Sequence, residues 1–281
     1  MTARARGFGY LIVAHHRPAL LLRLVRAIRR MSDAAIVVHL DRRHRDAFRA
    51  VEPALLAEGR IVVIAAHTVR WAHFSQVEAE LAGLAAMLDA FPDVTHVQHI
   101  TGQDYPIRPL GELERMVTAQ PGHSFIDRVP LPSPGREMQW EHVRRFYLTR
   151  SRRRSLRLPF GRRLPDLRFF SGSPYWCLAR EHAAYLLGLP PERMRFYRGA
   201  LSPDEFFFQT ELSNSEHAGE LLHGEYTFVD WPGDGPSPEI LTFGHFDAMV
   251  ESCAFFGRKF DDSVDTDVLD RIDQYLAEIE A

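Results

Sequence analysis

Residues 8–40 read FGYLIVAHHRPALLLRLVRAIRRMSDAAIVVHL. Two uninterrupted apolar runs, Phe8–Ala14 and Ala35–Leu40, are typical of strands buried in a parallel sheet. Between them, apolar residues recur at helical spacing over Pro18–Met31, and a proline at the first helical position favours a helix start. The stretch therefore predicts a strand–helix–strand unit with a right-handed crossover.

The alternation of strand and helix continues downstream. Helices are predicted at 46–57 and 74–91, and strands at 61–65 and 94–100, from the period of their apolar residues. We therefore expect an α/β fold of the GT-A type, with a mostly parallel, Rossmann-like sheet flanked by helices.

No linker divides the chain, so residues 1–281 are predicted to form a single domain. Within it we expect a nucleotide-binding half at about 8–128 and an acceptor-binding, catalytic half at about 168–281. The segment between them, 130–166, is predicted to be a basic loop region.

Composition and charge exclude several classes of protein. With 46% hydrophobic and 25% charged residues, the 281-residue chain has an ordinary globular composition. A net charge of −3 argues against a general nucleic-acid-binding protein. Two cysteines are too few for a disulfide framework. No apolar run reaches the roughly 18–20 residues of a membrane span or forms a signal peptide, so we expect a cytoplasmic protein.

Lys259 is the only lysine among 34 basic residues. A lysine presents a compact ammonium group on a flexible stem, and the wide, planar guanidinium of arginine does not replace it at every site. Composition alone leaves two explanations open, which are chance retention and a requirement for a compact cation.

Eleven arginines fall within residues 136–168, a local excess of positive charge in a chain that is acidic overall. A solvated loop is one explanation. The other is an acceptor-side surface for an anionic polymer, a phosphate-bearing lipid or a membrane face. A membrane face would make the protein peripheral at the inner side of the membrane.

Polar residues follow three of the predicted strands. His15 and His16 follow the first strand, Asp41 the second, and Gly102-Gln-Asp104 the fourth. Ligands of open parallel sheets bind beyond the carboxyl ends of the strands, so these residues could line a nucleoside pocket. Simple exposure of polar strand ends is the alternative.

A bound metal is a further interpretation of the same regions. His39 with Asp41, or His96 with His99, offers ligand types that transition metals accept, although pairs at these spacings are a weak signal. A metal-dependent hydrolase therefore stays open as an alternative function.

The stretch Ser202-Pro-Asp-Glu205 has the sequence of a helix start. Ser202 is the expected N-cap, Pro203 the first helical residue, and Glu205 the residue that completes a capping box. A glutamate on a loop-to-helix turn can also project into a cleft. Glu205 is therefore either a structural cap or a functional carboxylate.

Nine short stretches resemble the core-2/I-branching family of β-N-acetylglucosaminyltransferases (glycosyltransferase family 14), which also includes peptide O-xylosyltransferases and bacterial members. In chain order they are Leu11-Ile-Val-Ala-His-His-Arg17, Val38-His-Leu-Asp41, Trp71-x-x-Phe-Ser-x-Val-Glu-Ala79, Gly102-Gln-Asp-Tyr-Pro-Ile107, Gly172-Ser-x-Tyr-Trp176, Ser202-Pro-Asp-Glu205, Asp230-Trp231, Ser237-Pro238 and Arg258-Lys-Phe-Asp261. The resemblance implies the GT-A fold, a UDP-sugar donor, inversion at the anomeric carbon and no required metal or other cofactor.

The resemblance also implies site residues by position. Glu205 matches the catalytic base and Lys259 the diphosphate-binding lysine. The second cation on the diphosphate is open between Arg258 and an arginine of the basic region. The implied donor-binding residues are Val13, His15, Asp41, Gly102, Asp104, Ser173, Arg258 and Lys259, and the implied acceptor-binding residues are Trp176, Trp231, Glu137 and Arg144.

The chemistry of such a reaction requires the same residue types. Inverting transfer from an α-linked nucleotide sugar needs one carboxylate to accept the acceptor's proton, and cations to stabilise the departing diphosphate. We therefore expect transfer of N-acetylglucosamine or xylose from a UDP-sugar to a glycan, lipid-linked or small-molecule acceptor. A non-catalytic module that binds nucleotide sugars or glycans is the other alternative.

Overall fold

The computed structural model describes residues 7–151, 154–231, 233 and 237–280, without the side chains of residues 150, 151 and 154. The first elements, β1 (Phe8–Ala14), α1 (Pro18–Met31) and β2 (Ala35–Leu40), confirm the predicted strand–helix–strand unit. The two strands are parallel, with Gly9 opposite Ala35 and Ala14 opposite Leu40.

The next elements follow the predicted alternation with one difference. Two short helices replace the single helix predicted at 46–57, because Pro53 lacks an N–H group and favours a new helix start. The elements are α2 (Arg45–Phe48), α3 (Glu52–Ala57), β3 (Ile61–Ile64), α4 (Ser75–Ala90), β4 (His96–Thr101), β5 (Asp104–Pro106), α5 (Leu110–Thr118) and β6 (Ser124–Phe125).

The segment predicted as a loop at 130–166 is largely regular structure, which corrects that prediction. It contains one helix and a two-stranded hairpin, whose apolar residues recur with the period of a strand. The elements from here on are β7 (Val129–Leu131), α6 (Glu137–Arg144), β8 (Arg145–Ser151), β9 (Arg154–Gly161), β10 (Phe169–Ser171), β11 (Cys177–Ala179), α7 (Arg180–Leu187), α8 (Pro191–Tyr197), α9 (Phe207–Ser213), β12 (Leu221–Leu222), β13 (Thr227–Val229), α10 (Phe246–Glu251), β14 (Phe256–Arg258) and α11 (Asp267–Glu280).

A seven-stranded, mostly parallel sheet forms the centre of the molecule, in the order β12-β6-β11-β4-β1-β2-β3. Strands β1 to β4 are parallel, and β11 runs antiparallel between β4 and β6. The α/β prediction is therefore confirmed. A separate three-stranded sheet has the order β13-β14-β5. No helix in the described ranges combines the length and apolarity needed to cross a membrane.

Both faces of the central sheet are covered, which explains why β1 is apolar throughout. Tyr10 and Ile12 belong to a buried cluster that includes the apolar face of α1. Leu11, between them in the chain, belongs to the other cluster, together with Val77 and Leu84 of α4. Successive side chains of a strand point to opposite faces, so a strand between two helical layers has no polar face.

Candidate active site

Glu205 lies on a short 3-10 turn, Pro203–Glu205, directly before α9. Its side chain is partly exposed, whereas the neighbouring Asp204 is buried. Within the described part of the chain, no group hydrogen-bonds to the Glu205 carboxylate. The carboxylate is therefore available to a ligand.

The predicted capping box at this turn is wrong. Ser202 has a left-handed backbone conformation, with φ 48°, and its side chain makes no capping hydrogen bond. The turn that follows is of the 3-10 type and ends at Phe206 before the α-helix begins. The structure therefore does not support a capping role for Glu205.

The environment of Glu205 favours the protonated form of its carboxyl group. Burial raises the pKa of Glu205 to about 8, and the charge of Asp204 adds to the shift, while the charge of Arg136 opposes it. Burial also raises the pKa of Asp204 to about 6, against a backbone hydrogen bond that favours its ionised form. The two adjacent carboxyl groups hold protons more tightly than ordinary side chains do.

A second layer of polar groups lies beneath this pair. Gln76 on α4 donates a hydrogen bond to Asp204 Oδ2 at 3.0 Å. Glu80, also on α4, is 4% exposed, and burial together with the charge of Asp204 raises its pKa well above the ordinary value. His99 Nε2 lies 3.8 Å from Glu80 Oε1, and burial lowers the pKa of His99 to about 4. Burial therefore favours the uncharged form of both groups.

The backbone of Glu205 is held by the segment after β10. Gly172 donates its N–H to the Glu205 carbonyl oxygen at 2.8 Å. A Cβ atom on Gly172 would lie 2.0 Å from the carbonyl oxygen of Asp127, so only glycine permits this close approach. Ser173, a predicted donor-binding residue, donates its N–H to Asp127 Oδ2 at 3.1 Å, and its carbonyl accepts from Gln209.

Several predicted donor-binding residues lie at the ends of the parallel strands. Val13 accepts the N–H of Gly102 at 3.0 Å, which brings the ends of β1 and β4 together. Asp41, at the end of β2, is buried and accepts a hydrogen bond from Arg43 at 2.7 Å. Burial opposes ionisation of Asp41, but the hydrogen bonds from Arg43 outweigh it and hold the pKa below its ordinary value. His15 is exposed at the same edge, within electrostatic reach of Asp41.

Arg258 and Asp104 face each other across the antiparallel strands β14 and β5. Arg258 Nη1 donates to Asp104 Oδ1 at 2.7 Å and also to Thr101 Oγ1. Asp104 accepts the N–H of Thr101 as well, and its side chain is completely buried. Asp104 is thus committed to Arg258, which corrects the prediction that it contacts the donor itself.

Lys259 directly follows β14, and Trp231 comes two residues after the parallel strand β13. Val229 is opposite Arg258 in this pair of strands, so Lys259 and Trp231 emerge at the same end of the small sheet. Lys259 Nζ donates to Ser237 Oγ at 2.6 Å. Trp231 is 52% exposed, which leaves its ring available to a ligand.

Tyr175 connects the two parts of the site. The Arg258 guanidinium lies 5.2 Å from the centre of its ring, and the His99 ring is 6.0 Å away on a stacked approach. The charges of Arg258 and Asp204 both act on Tyr175. The predicted donor-binding strands and the turn that carries the candidate base are therefore neighbours around one tyrosine.

Trp176 does not form an acceptor-binding wall, which corrects that prediction. It is 1% exposed, and its ring lies 4.9 Å from the rings of both His99 and Phe208. Its large apolar surface is used in the core.

The other predicted acceptor residues lie on α6. Glu137 is exposed and accepts the N–H of Gly135 at 3.1 Å, while Arg144 is hydrogen-bonded to Glu141 of its own helix. Arg136, one residue before α6, is the member of this region whose charge acts on Glu205.

A model of the core-2/I-branching enzyme family matches residues 8–250 of the chain. The chain belongs to this family. It is 24% identical over 300 residues to the human β-1,3-galactosyl-O-glycosyl-glycoprotein β-1,6-N-acetylglucosaminyltransferase, covering 95% of this chain and 69% of the relative. It is also 24% identical over 206 residues to the xylosyltransferase sqv-6 of Caenorhabditis elegans, covering 65% of this chain and 25% of that protein.

A plant relative is named for the transfer of a third sugar, glucuronic acid. The chain is 33% identical over 117 residues to the β-glucuronosyltransferase GlcAT14B of Arabidopsis thaliana, covering 39% of this chain and 26% of the relative. These curated relatives are glycosyltransferases, and this core-2/I-branching family member is a glycosyltransferase.

The histidine pairs that suggested a metal are engaged in other contacts in this core-2/I-branching family member. His39 Nε2 accepts the N–H of His67 at 3.2 Å, and His99 Nδ1 contacts the Pro174 carbonyl oxygen at 3.0 Å. Among the described residues, three-ligand groups occur elsewhere, at His182, His217 and Glu220 and at Asp230, Glu239 and His245.

Sequence reasoning missed Tyr175, Glu80 and Arg136. Tyr175 stood inside a stretch that matched the family, between a glycine and a buried tryptophan. Glu80 could have been noticed as a carboxylate on the buried face of α4, between Val77 and Leu84. Arg136 was one of eleven similar arginines, and only the fold distinguishes it.

Proposed function

We propose that this protein is an inverting glycosyltransferase that transfers a sugar from a UDP-sugar to an acceptor hydroxyl with β linkage. Glu205 is the base. It accepts the hydroxyl proton as the acceptor oxygen forms a bond to the anomeric carbon, on the side opposite the diphosphate. The bond from that carbon to the phosphate oxygen breaks, and its electron pair leaves with UDP.

The observation that carries this proposal is the state of the Glu205 carboxylate. It is partly exposed, it has no hydrogen-bond partner among the described residues, and its pKa is raised to about 8. A structural carboxylate would be paired, whereas a base must be open to its substrate and efficient near the working pH. The family assignment supports the same residue, because Ser202-Pro-Asp-Glu205 is one of the stretches that resemble the family.

The leaving diphosphate would be stabilised at the end of the small sheet. Lys259 supplies a compact ammonium there, and Ser237 holds its Nζ. Arg258 is already neutralised by Asp104, so we assign it the role of fixing the position of Lys259 rather than that of the second cation. Lys259 would then provide the main charge on the diphosphate.

We further propose that transfer needs no metal ion. The chain has no Asp-x-Asp sequence at a strand end, and a lysine performs the charge compensation that a divalent ion would supply. Activity should therefore persist in EDTA, and loss of activity that added Mn²⁺ restores would contradict this part of the proposal.

Slow donor hydrolysis tests the function without knowledge of the acceptor. We would incubate the protein with UDP-N-acetylglucosamine, UDP-xylose and UDP-glucuronic acid and measure released UDP. N-acetylglucosamine and xylose are the expected donor sugars, and the glucuronosyl donor is included because of the plant relative.

The variant Glu205→Gln identifies the base. It should lower turnover by about 10²- to 10⁴-fold, the usual contribution of a general base, while UDP binding measured by calorimetry stays near the wild-type value. Glu192→Gln is the matched control, because its side chain is 70% exposed on α8. Normal turnover in Glu205→Gln would exclude this residue as the base.

A further inference from the structure

The hairpin formed by β8 and β9 is a separate two-stranded sheet, and no third strand pairs with it in the described part of the chain. One of its faces packs on the molecule, where Tyr147 is 9% and Thr149 is 8% exposed. Tyr147 donates its N–H to the Gly199 carbonyl oxygen at 2.9 Å, which fastens the hairpin to the body. The other face points outward.

The outward face of the hairpin is apolar, the reverse of an ordinary surface strand. Leu148 and Leu156 are directly opposite each other and are 52% and 61% exposed. Phe160 is 57% exposed, with its ring 6.5 Å from that of Phe146. Exposed apolar residues are common singly, but a contiguous set on one face indicates an interaction surface.

The segment that carries this apolar face is rich in arginine. Residues 144–163 contain nine arginines and no acidic residue. Since the whole chain has a formal charge of −3, a segment of +9 leaves −12 on the rest. Arg157 is opposite Tyr147 in the hairpin, and its side chain is 60% exposed with Nη1 3.5 Å from Glu141 Oε2. Arg163 is exposed after β9. Arg152 and Arg153 lie outside the described residues.

We propose that this hairpin docks on an anionic lipid bilayer, with Leu148, Leu156 and Phe160 reaching the acyl boundary and the exposed Arg157 and Arg163 among the headgroups. Apolar side chains bordered by cations match such a surface. The apolar side chains leave water for the acyl boundary, and the cations are attracted to the anionic headgroups. A polysaccharide would neutralise the arginines but would leave the apolar face in water. A second copy of the chain would bring two segments of like charge, each with nine arginines, against each other.

The position of the hairpin suggests the kind of acceptor, a point that rests on the proposed function. Helix α6 leads directly into β8 and spans about 12 Å, and Arg136 at its other end acts on Glu205. A docked hairpin would therefore hold the base near the bilayer surface. The acceptor class that this arrangement favours is a hydroxyl on a membrane-embedded lipid or on a glycan linked to it.

Vesicle flotation tests the docking without any sugar donor, so its outcome is independent of the glycosyl-transfer test. We would compare vesicles of phosphatidylcholine with vesicles that contain one third phosphatidylglycerol. The wild-type protein should float with the anionic vesicles, and its affinity for neutral vesicles should be weaker by on the order of tenfold or more.

Two sets of variants separate the apolar contribution from the charge. Leu148→Ser/Leu156→Ser/Phe160→Ser and Arg157→Ser/Arg163→Ser should each reduce binding to the anionic vesicles by roughly tenfold. The matched controls are Leu56→Ser/Ile279→Ser and Arg49→Ser/Arg195→Ser, whose side chains are also exposed but lie elsewhere, and these should bind as the wild type does. Circular dichroism and donor hydrolysis verify that each variant is folded.

Three outcomes would overturn the proposal. The first is unchanged vesicle binding by the apolar variant, and the second is tighter binding to the soluble polyanion dextran sulfate than to anionic vesicles. The third is a wild-type dimer in sedimentation that the apolar variant abolishes, without vesicle binding by either protein.

Discussion

The Arg258 guanidinium and the Asp104 carboxylate meet at 2.7 Å across adjacent antiparallel strands, with the Asp104 side chain completely buried. This ion pair anchors the strand end from which Lys259 emerges. It therefore connects the stability of the small sheet to the geometry of the candidate diphosphate site.

Removal of one partner should leave a buried charge without compensation. We expect Asp104→Ala to lower the free energy of unfolding by about 3–5 kcal/mol, measured by urea denaturation. Asp93→Ala is the control, because Asp93 pairs with Arg60 at the surface, where such a pair contributes about 0–1 kcal/mol. Equal effects of the two substitutions would contradict a structural role for the buried pair.

The two charged neighbours of Glu205 should move the pH profile of turnover in opposite directions. Asp204 disfavours a second negative charge, so Asp204→Asn lowers the pKa of Glu205 and shifts the acidic limb to lower pH. Arg136 favours the charged form, so Arg136→Ala raises that pKa and shifts the limb to higher pH. The measurement is kcat/KM for donor turnover between pH 5 and 9, values chosen to bracket the shift.

The acidic limb of the wild-type pH profile also has a predicted direction. A base whose pKa is raised to about 8 is mostly protonated at low pH, so activity increases as the pH rises through the neutral range. An acidic limb near the ordinary glutamate pKa, about 4.3, would contradict the environment described for Glu205. Shifts of the same sign in the two variants would contradict the electrostatic account.

Lys259 should not be replaceable by arginine. Lys259→Ala removes a charged donor and should weaken UDP binding by roughly 10- to 150-fold. Lys259→Arg should recover little of this loss, because Ser237 contacts the compact ammonium at 2.6 Å and a wide, planar guanidinium cannot present its charge at the same point. Calorimetric titration with UDP measures both effects, and complete recovery with arginine would show that charge alone matters.

Gly172 should tolerate no side chain. A Cβ atom there meets the Asp127 backbone at 2.0 Å, so Gly172→Ala must displace one of two segments beside Glu205. We expect a loss of about 1–3 kcal/mol in the free energy of unfolding, together with a lower turnover number. Gly219→Ala is the control, because a Cβ atom at Gly219 meets nothing within 4 Å. Equal stability of the two variants in thermal unfolding would refute the packing argument.

Much of the fold could be predicted because its signals are local and periodic. The apolar run Phe8–Ala14 predicts a strand, and the helical spacing over Pro18–Met31 predicts a helix. The two elements bury their apolar surfaces against each other. The hairpin at 145–161 was not predicted, for two reasons. Its many arginines interrupt the alternating pattern of apolar residues, and the apolar residues of that pattern point outward rather than into the core.

Part of the candidate site could likewise be predicted from the sequence, and part could not. Ser202-Pro-Asp-Glu205 and Arg258-Lys-Phe-Asp261 could be located from residue order and family resemblance, since both are contiguous. The capping role of Ser202 could not be judged, because it depends on a backbone angle that the surrounding packing sets. The burial of Trp176 and of Asp104 likewise depends on strands that pair over long sequence separations.

By itself, the sequence determined the α/β alternation, the family to which the chain belongs and the two residues most suited to the chemistry, Glu205 and Lys259. Only the tertiary structure decided which neighbours act on them. Electrostatic and desolvation effects depend on distance in space. Glu80, Arg136 and Tyr175 therefore acquire their roles only when α4 and the residues just before α6 and β11 come together at one site.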